Sequence, residues 1–360
     1  MSRWIWVAVV MLWCVGCTSG TSGVADDDEH LQEKMSRFEA EEQEVRFVAA
    51  ETTVYATLTH PVDKQDAPAV VLVAGSGPTD RDWNNPLLPG DNGTAPELSR
   101  RLAEAGVASL RYDKRGTGMT SLSEPITWED YLVELQAAVE FLGEEAGIDH
   151  GRIFAAGHSE GGVHVLRAAA EEWIDVRGVM LLATPGRSTE ELLLTQVAEQ
   201  LEGVGMPRDA VQRELSSLAT AMQALQRGEP VEARQVSEIP GLVALVETLQ
   251  TEDAEQFAAE LIGWDPVEAI TQLRNPVLIV QGLKDTQVDV DEDARRLLEA
   301  AEAQHQDVEL VIADDADHVL KYQPVAREEL SGQFSLTYND PSRRLDETVL
   351  EAMILWIYDR

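Results

Sequence analysis

Apolar-rich runs at 69–74, 107–112, 153–156, 176–183, 276–281 and 308–312 are separated by stretches of helical spacing, and this alternation most narrows the fold. The clearest, Ala69-Val70-Val71-Leu72-Val73-Ala74, has no polar residue at all. A strand with one wet face alternates polar and apolar side chains, so an uninterrupted run must be covered on both faces. Such strands joined through helices make an α/β protein with a mostly parallel central sheet flanked by helices. Residues 44–60 alternate instead (Val45, Phe47, then Val54, Tyr55, Ala56 and Leu58), which predicts two short, partly exposed antiparallel strands. Helical spacing runs through Leu98, Leu102 and Ala105, and again over 128–145.

The rhythm breaks once. Between Pro185 and Trp264 there is no strand-like run, while helical ones cover 192–203, 208–227 and 243–262. That is far more chain than a connection between sheet elements needs. It predicts a helical cap, residues 186–264, inserted into a core made of 44–185 and 265–360. Leu215, Leu218, Met222 and Leu225 follow helical spacing and are expected to pack the cap onto the body.

Gly157-His158-Ser159-Glu160-Gly161 falls between the 153–156 strand and an alanine-rich helical stretch. A serine on so sharp a turn is exposed above the sheet, and the flanking glycines avoid collisions between neighbours. Ser159 is therefore the candidate nucleophile, but a hydroxyl needs a base. Of the seven histidines, His30, His60, His150 and His305 lie in hydrophilic or early segments. His158 adjoins the serine and is expected to point elsewhere, and His164 follows too closely to reach back. His318, just after the last strand, is where the base belongs. Asp285, straight after the 276–281 strand, is the expected acid; Asp289, Asp291 and Asp317 are rivals by composition. An oxyanion would need two backbone donors. Glu160 N–H is one, and the loop after 69–74 supplies the other from Ser76, with Gly77 as the alternative.

Two segments carry a resemblance. Ala74-Gly75-Ser76-Gly77-Pro78-Thr79-Asp80-Arg81-Asp82 is similar to the HGSGPxDRD loop, and 111–118 to the R-Y-D-K-R-G-x-G segment, of bacterial α/β-hydrolases near the esterase and serine aminopeptidase branch. The resemblance runs from about Val45 to the C-terminus. It implies an α/β-hydrolase fold and a serine hydrolase acting on a small-molecule acyl substrate, first of all a carboxylic ester, with no metal or organic cofactor. Peptidase or thioesterase chemistry on the same groups stays open, as does an inactive lipid-anchored binding protein. Ala74 departs from the usual histidine, which should alter the loop without abolishing activity. Asp113 and Arg115 are expected to be a structural pair that ties loops together.

Formal charge is −37, from 28 basic and 65 acidic residues, which excludes nucleic acid as a partner. At the N-terminus Arg3 precedes a nearly apolar 4–15 stretch, too short to span a bilayer comfortably, and residues 1–17 read as an export signal. Val15-Gly16-Cys17 resembles a bacterial lipobox, with Cys14 where leucine is usual. Cys17 is thus the candidate for lipidation and a membrane anchor, with an ordinary cleaved signal as the alternative. Residues 18–43 read as a flexible acidic tether. The only two cysteines lie in the signal, so the rest of the chain must be stabilised by its core.

Overall fold

The computed structural model describes residues 37–122, 125–330 and 338–360. The signal, Cys14, Cys17 and most of the tether lie outside the described residues. Eight strands form one sheet in the order β1-β2-β4-β3-β5-β6-β7-β8. They are β1 (Ala40–Ala49), β2 (Thr52–Pro61), β3 (Ala67–Val73), β4 (Ala108–Tyr112), β5 (Ile148–His158), β6 (Gly178–Leu182), β7 (Val277–Gly282) and β8 (Val308–Ala313). β1 and β2 are antiparallel, β2 meets β4 antiparallel, and every pairing from β4 to β8 is parallel.

β3, β4, β6 and β7 are buried along their whole length, as both-face coverage requires. Alternate residues of β3 serve opposite faces: Ala69, Val71 and Val73 join one core, Val70 and Leu72 the other. The first core is closed by α2 (Trp128–Glu144), α3 (Glu160–Ala170) and α10 (Arg296–Ala303). The second is closed by α1 (Thr94–Glu104) and α11 (Glu347–Tyr358). β1 and β8 are the two sheet edges, and exposed Glu41, Glu42 and Glu44 line β1; charge on an edge discourages pairing with another chain. β1 also begins at Ala40, inside the segment expected to be tether, because its register with β2 runs back to Ala40↔Pro61. Among the described residues no helix is long and apolar enough to cross a membrane.

Between β6 and β7 the chain runs through α4 (Thr189–Gly203), α5 (Arg208–Gln226), α6 (Ala233–Val236), α7 (Pro240–Leu249), α8 (Glu255–Ile262) and α9 (Pro266–Ile270). The helix expected over 243–262 is two, α7 and α8. At the break the Thr251 hydroxyl donates to Thr248 O (3.0 Å), a local bond that competes with the helical ladder, and Asp253 O accepts from Ile126 N–H (3.1 Å). Leu218, Met222 and Leu225 do not pack onto the body. They are buried with Leu193, Val197 and Leu245 in a core internal to these helices, and Leu215 packs against it.

Candidate active site

β5 ends at His158 and α3 begins at Glu160, so Ser159 makes the turn alone. Its backbone sits at φ 54° and ψ −125°, which costs a residue with a side chain about 1–3 kcal/mol. Ser159 N–H donates to Leu182 O (2.8 Å) and Gly162 N–H donates to Ser159 O (2.9 Å), holding the turn from both sides. The glycines answer a steric need. A side chain at Gly157 would run into the Gly161 backbone, one at Gly161 into Val73 O, and one at Gly162 into Thr184.

Three candidates from distant parts of the chain meet here. His318 follows β8, Asp285 follows β7, and His318 Nε2 lies 3.2 Å from Ser159 Oγ while His318 Nδ1 lies 2.8 Å from Asp285 Oδ2. Gln287 N–H (2.7 Å) and Val288 N–H (3.0 Å) donate to Asp285 Oδ1, and the Gln281 amide (3.0 Å) donates to Oδ2. Burial alone would raise the Asp285 carboxyl, but His318 and these N–H groups outweigh it and hold the pKa below the ordinary value. An ionised carboxylate only accepts, so the proton of neutral His318 sits on Nδ1 and the Nε2 lone pair faces Ser159. The rival aspartates are engaged elsewhere: Asp289 caps the next turn and pairs with Arg327, Asp291 pairs with Arg295, and Asp317 pairs with Arg343.

Glu160 is the first residue of α3, so its N–H lies outside the i→i−4 ladder. Ser76 is exposed just beyond β3. Gly75 before it lies so close to the elbow that an added Cβ would stand 3.3 Å from Ser159 Cβ.

Asp113 and Arg115 do not pair with each other. The Asp113 carboxylate accepts from Arg81 N–H (2.8 Å), the Arg81 guanidinium (2.9 Å) and Met119 N–H (2.8 Å), while Arg115 Nε donates to the buried Glu134 (2.7 Å). Residues 113 and 115 diverge because β4 ends at Tyr112 and the chain turns just beyond it. Arg111 Nε donates to Asp82 (2.9 Å) and Lys114 Nζ to Gly75 O (2.6 Å), so the 74–82 and 111–118 segments are clamped at three places.

Sequence reasoning missed His158. Its Nε2–H donates to the backbone carbonyl of His318 (2.7 Å), and its ring stacks on buried Trp83 with centroids 4.7 Å apart. Burial first, and then the neighbouring His318, push its pKa down to about 3, so it stays neutral. His164 accepts from Trp128 Nε1 at Nδ1 (2.9 Å), which leaves its proton on Nε2, 3.6 Å from Glu160 Oε1. No linear pattern announces either contact. Among the described residues no group of three or more His, Cys, Asp or Glu side chains converges as metal ligands would.

Residues 70–327 match the alpha/beta hydrolase family. The chain belongs to that family. Esterase EstD of Thermotoga maritima is 26% identical over 303 residues, which cover 83% of this chain and 64% of EstD, so the chain spans less than two thirds of that relative's length. DcsB, solved in complex with its substrate analogue, superposes with a TM-score of 0.54 at 18% identity, covering 89% of this chain and 99% of DcsB. Est1E from Butyrivibrio proteoclasticus, solved with ferulic acid bound, gives 0.48 at 18% identity over 81% of this chain and 98% of its own. DcsB supports the same fold as the sheet order.

Proposed function

We propose that this α/β-hydrolase is a serine hydrolase of small-molecule carboxylic esters, with Ser159 as nucleophile, His318 as base and Asp285 as its partner. The observation that carries the reading is the continuous hydrogen-bond chain Ser159 Oγ–His318–Asp285, at 3.2 and 2.8 Å. Kinship with EstD favours esters over amides and thioesters.

In this reading Ser159 Oγ attacks the acyl carbon as His318 Nε2 takes its proton, and the carbonyl oxygen becomes an oxyanion held by Ser76 N–H and Glu160 N–H. Asp285 stabilises the imidazolium. Collapse expels the alcohol, protonated by His318, and leaves an acyl-Ser159 ester. Water, deprotonated by the same Nε2, attacks it; the acid departs as Ser159 recovers its proton. The helices from α4 to α8 act as a cap that selects the acyl group.

Turnover of p-nitrophenyl acetate and butyrate by residues 18–360, with fluorophosphonate labelling, tests the reading. Labelling and turnover that both vanish in Ser159→Ala support it; no turnover and no labelling of the unaltered enzyme overturn it. The sequence of 1–17 supports export with Cys17 as a lipid anchor. Radiolabelled palmitate that stays incorporated after Cys17→Ser would remove Cys17 as the site.

A further inference from the structure

Lys114 is 2% exposed, and its Nζ donates to Gly75 O at 2.6 Å while facing the Tyr131 ring, 5.5 Å from the centroid. Burial lowers its pKa, and the charges of Glu160 and Glu134 oppose that loss. Taking an ammonium out of water is costly even after relaxation, and one carbonyl with one ring face replaces little of its hydration. The position of that carbonyl is what gives the lysine a use. Among the described residues every peptide bond is trans, and in a trans peptide the C=O and N–H point in opposite directions. The oxygen that Lys114 grips belongs to the Gly75–Ser76 peptide, whose N–H is that of Ser76.

We propose that Lys114 is the positioning residue of the oxyanion hole: by holding Gly75 O from behind, it aims Ser76 N–H at the substrate carbonyl oxygen. The inference rests on the serine-hydrolase reading and on Ser76 as a donor. Charge gives the lysine a second task. Glu160 offers its N–H to the oxyanion but also carries a mostly buried carboxylate beside the nucleophile, which would oppose negative charge there. Burial would raise that carboxyl, yet His164 and Lys114 hold its pKa below the ordinary value. The Lys114 ammonium thus offsets Glu160 in the field the oxyanion meets, at a fixed position that needs no reorganisation during the reaction.

Lys114→Met keeps much of the side chain's length and removes donor and charge; Lys114→Gln keeps a neutral donor. Lys114→Met is expected to lower kcat on p-nitrophenyl butyrate by roughly 10- to 100-fold, less than the roughly 100- to 1000-fold that losing an oxyanion donor outright costs, with KM nearly unchanged; Lys114→Gln should recover part of the loss. The matching thionoester decides the matter, because its sulfur accepts hydrogen bonds weakly and draws little from the oxyanion hole. The defect of Lys114→Met should shrink several-fold on that substrate. An equal loss on both substrates, or a kcat like that of the unaltered enzyme, overturns the inference while leaving the serine-hydrolase reading intact. An unaltered enzyme inert on both substrates removes that reading and the inference with it. If neither variant reaches a folded state by near-ultraviolet circular dichroism, Lys114 belongs to stability and the inference falls.

Discussion

Ser159 occupies a backbone conformation that a side chain resists, and three glycines give it room. Gly161→Ala would press a methyl group into the carbonyl of Val73, so it should cost about 1–3 kcal/mol, a typical overpacking penalty, in urea unfolding. An unchanged midpoint would show that the elbow yields more readily than its contacts suggest. Asp285→Asn keeps the shape of the acid but allows the wrong His318 tautomer; kcat should fall by roughly 10³- to 10⁴-fold with the fold retained. His158 adds a pH dependence. Its pKa is near 3 when folded against an ordinary 6.5, so the unfolded chain binds a proton that the folded chain refuses. The stability this contributes is whole above pH 6.5 and drains as pH falls toward 3, by an amount on the order of 5 kcal/mol. His158→Gln should flatten that part of the stability curve relative to the unaltered protein; parallel curves would contradict it.

At the scale of elements, the 74–82 loop and the 111–118 segment form one unit. Arg81 with Asp113, Arg111 with Asp82, and Lys114 with Gly75 join the end of β3 to the end of β4. That explains why two separate stretches carry the same resemblance: each supplies the other's partners. Helices α4 to α8 share a core of their own, in which Leu218 is fully buried, while Phe257 and Leu261 of α8 and Ala269 and Ile270 of α9 join the first core of the sheet. Leu218→Ala should destabilise the helices' own core by about 2–5 kcal/mol. Hydrogen exchange should therefore speed in α4, α5 and α7 while β3 and β5 stay protected, because the two cores share none of their buried residues. Uniform acceleration would mean that insertion and sheet unfold together.

At the scale of the molecule, a charge of −37 makes the folded state repel itself. Sodium chloride should raise Tm as it screens that repulsion, steeply below about 0.2 M and little beyond. A Tm indifferent to salt would show that local ion pairs already balance the field. The unbroken apolar runs made the central strands legible, since only burial on both faces accounts for them. Ser159, Asp285 and His318 were legible for a related reason: on a parallel sheet, loops after successive strands open on the same edge, so positions after β5, β7 and β8 converge. Helix α11 went unread, and its wide apolar surface is explained only by the second sheet face it covers.

The amino-acid sequence by itself determined the parallel sheet, the inserted helices, and which serine, aspartate and histidine would approach one another, because periodicity and strand order are linear properties. Tertiary structure alone decided the partners of buried charge. Asp113 took Arg81 rather than Arg115, His158 took the carbonyl of His318, and Lys114 took that of Gly75. A charge or imidazole out of water binds whatever complementary group the packed backbone brings within about 3 Å, and that distance is set by the folding of elements far apart in the chain.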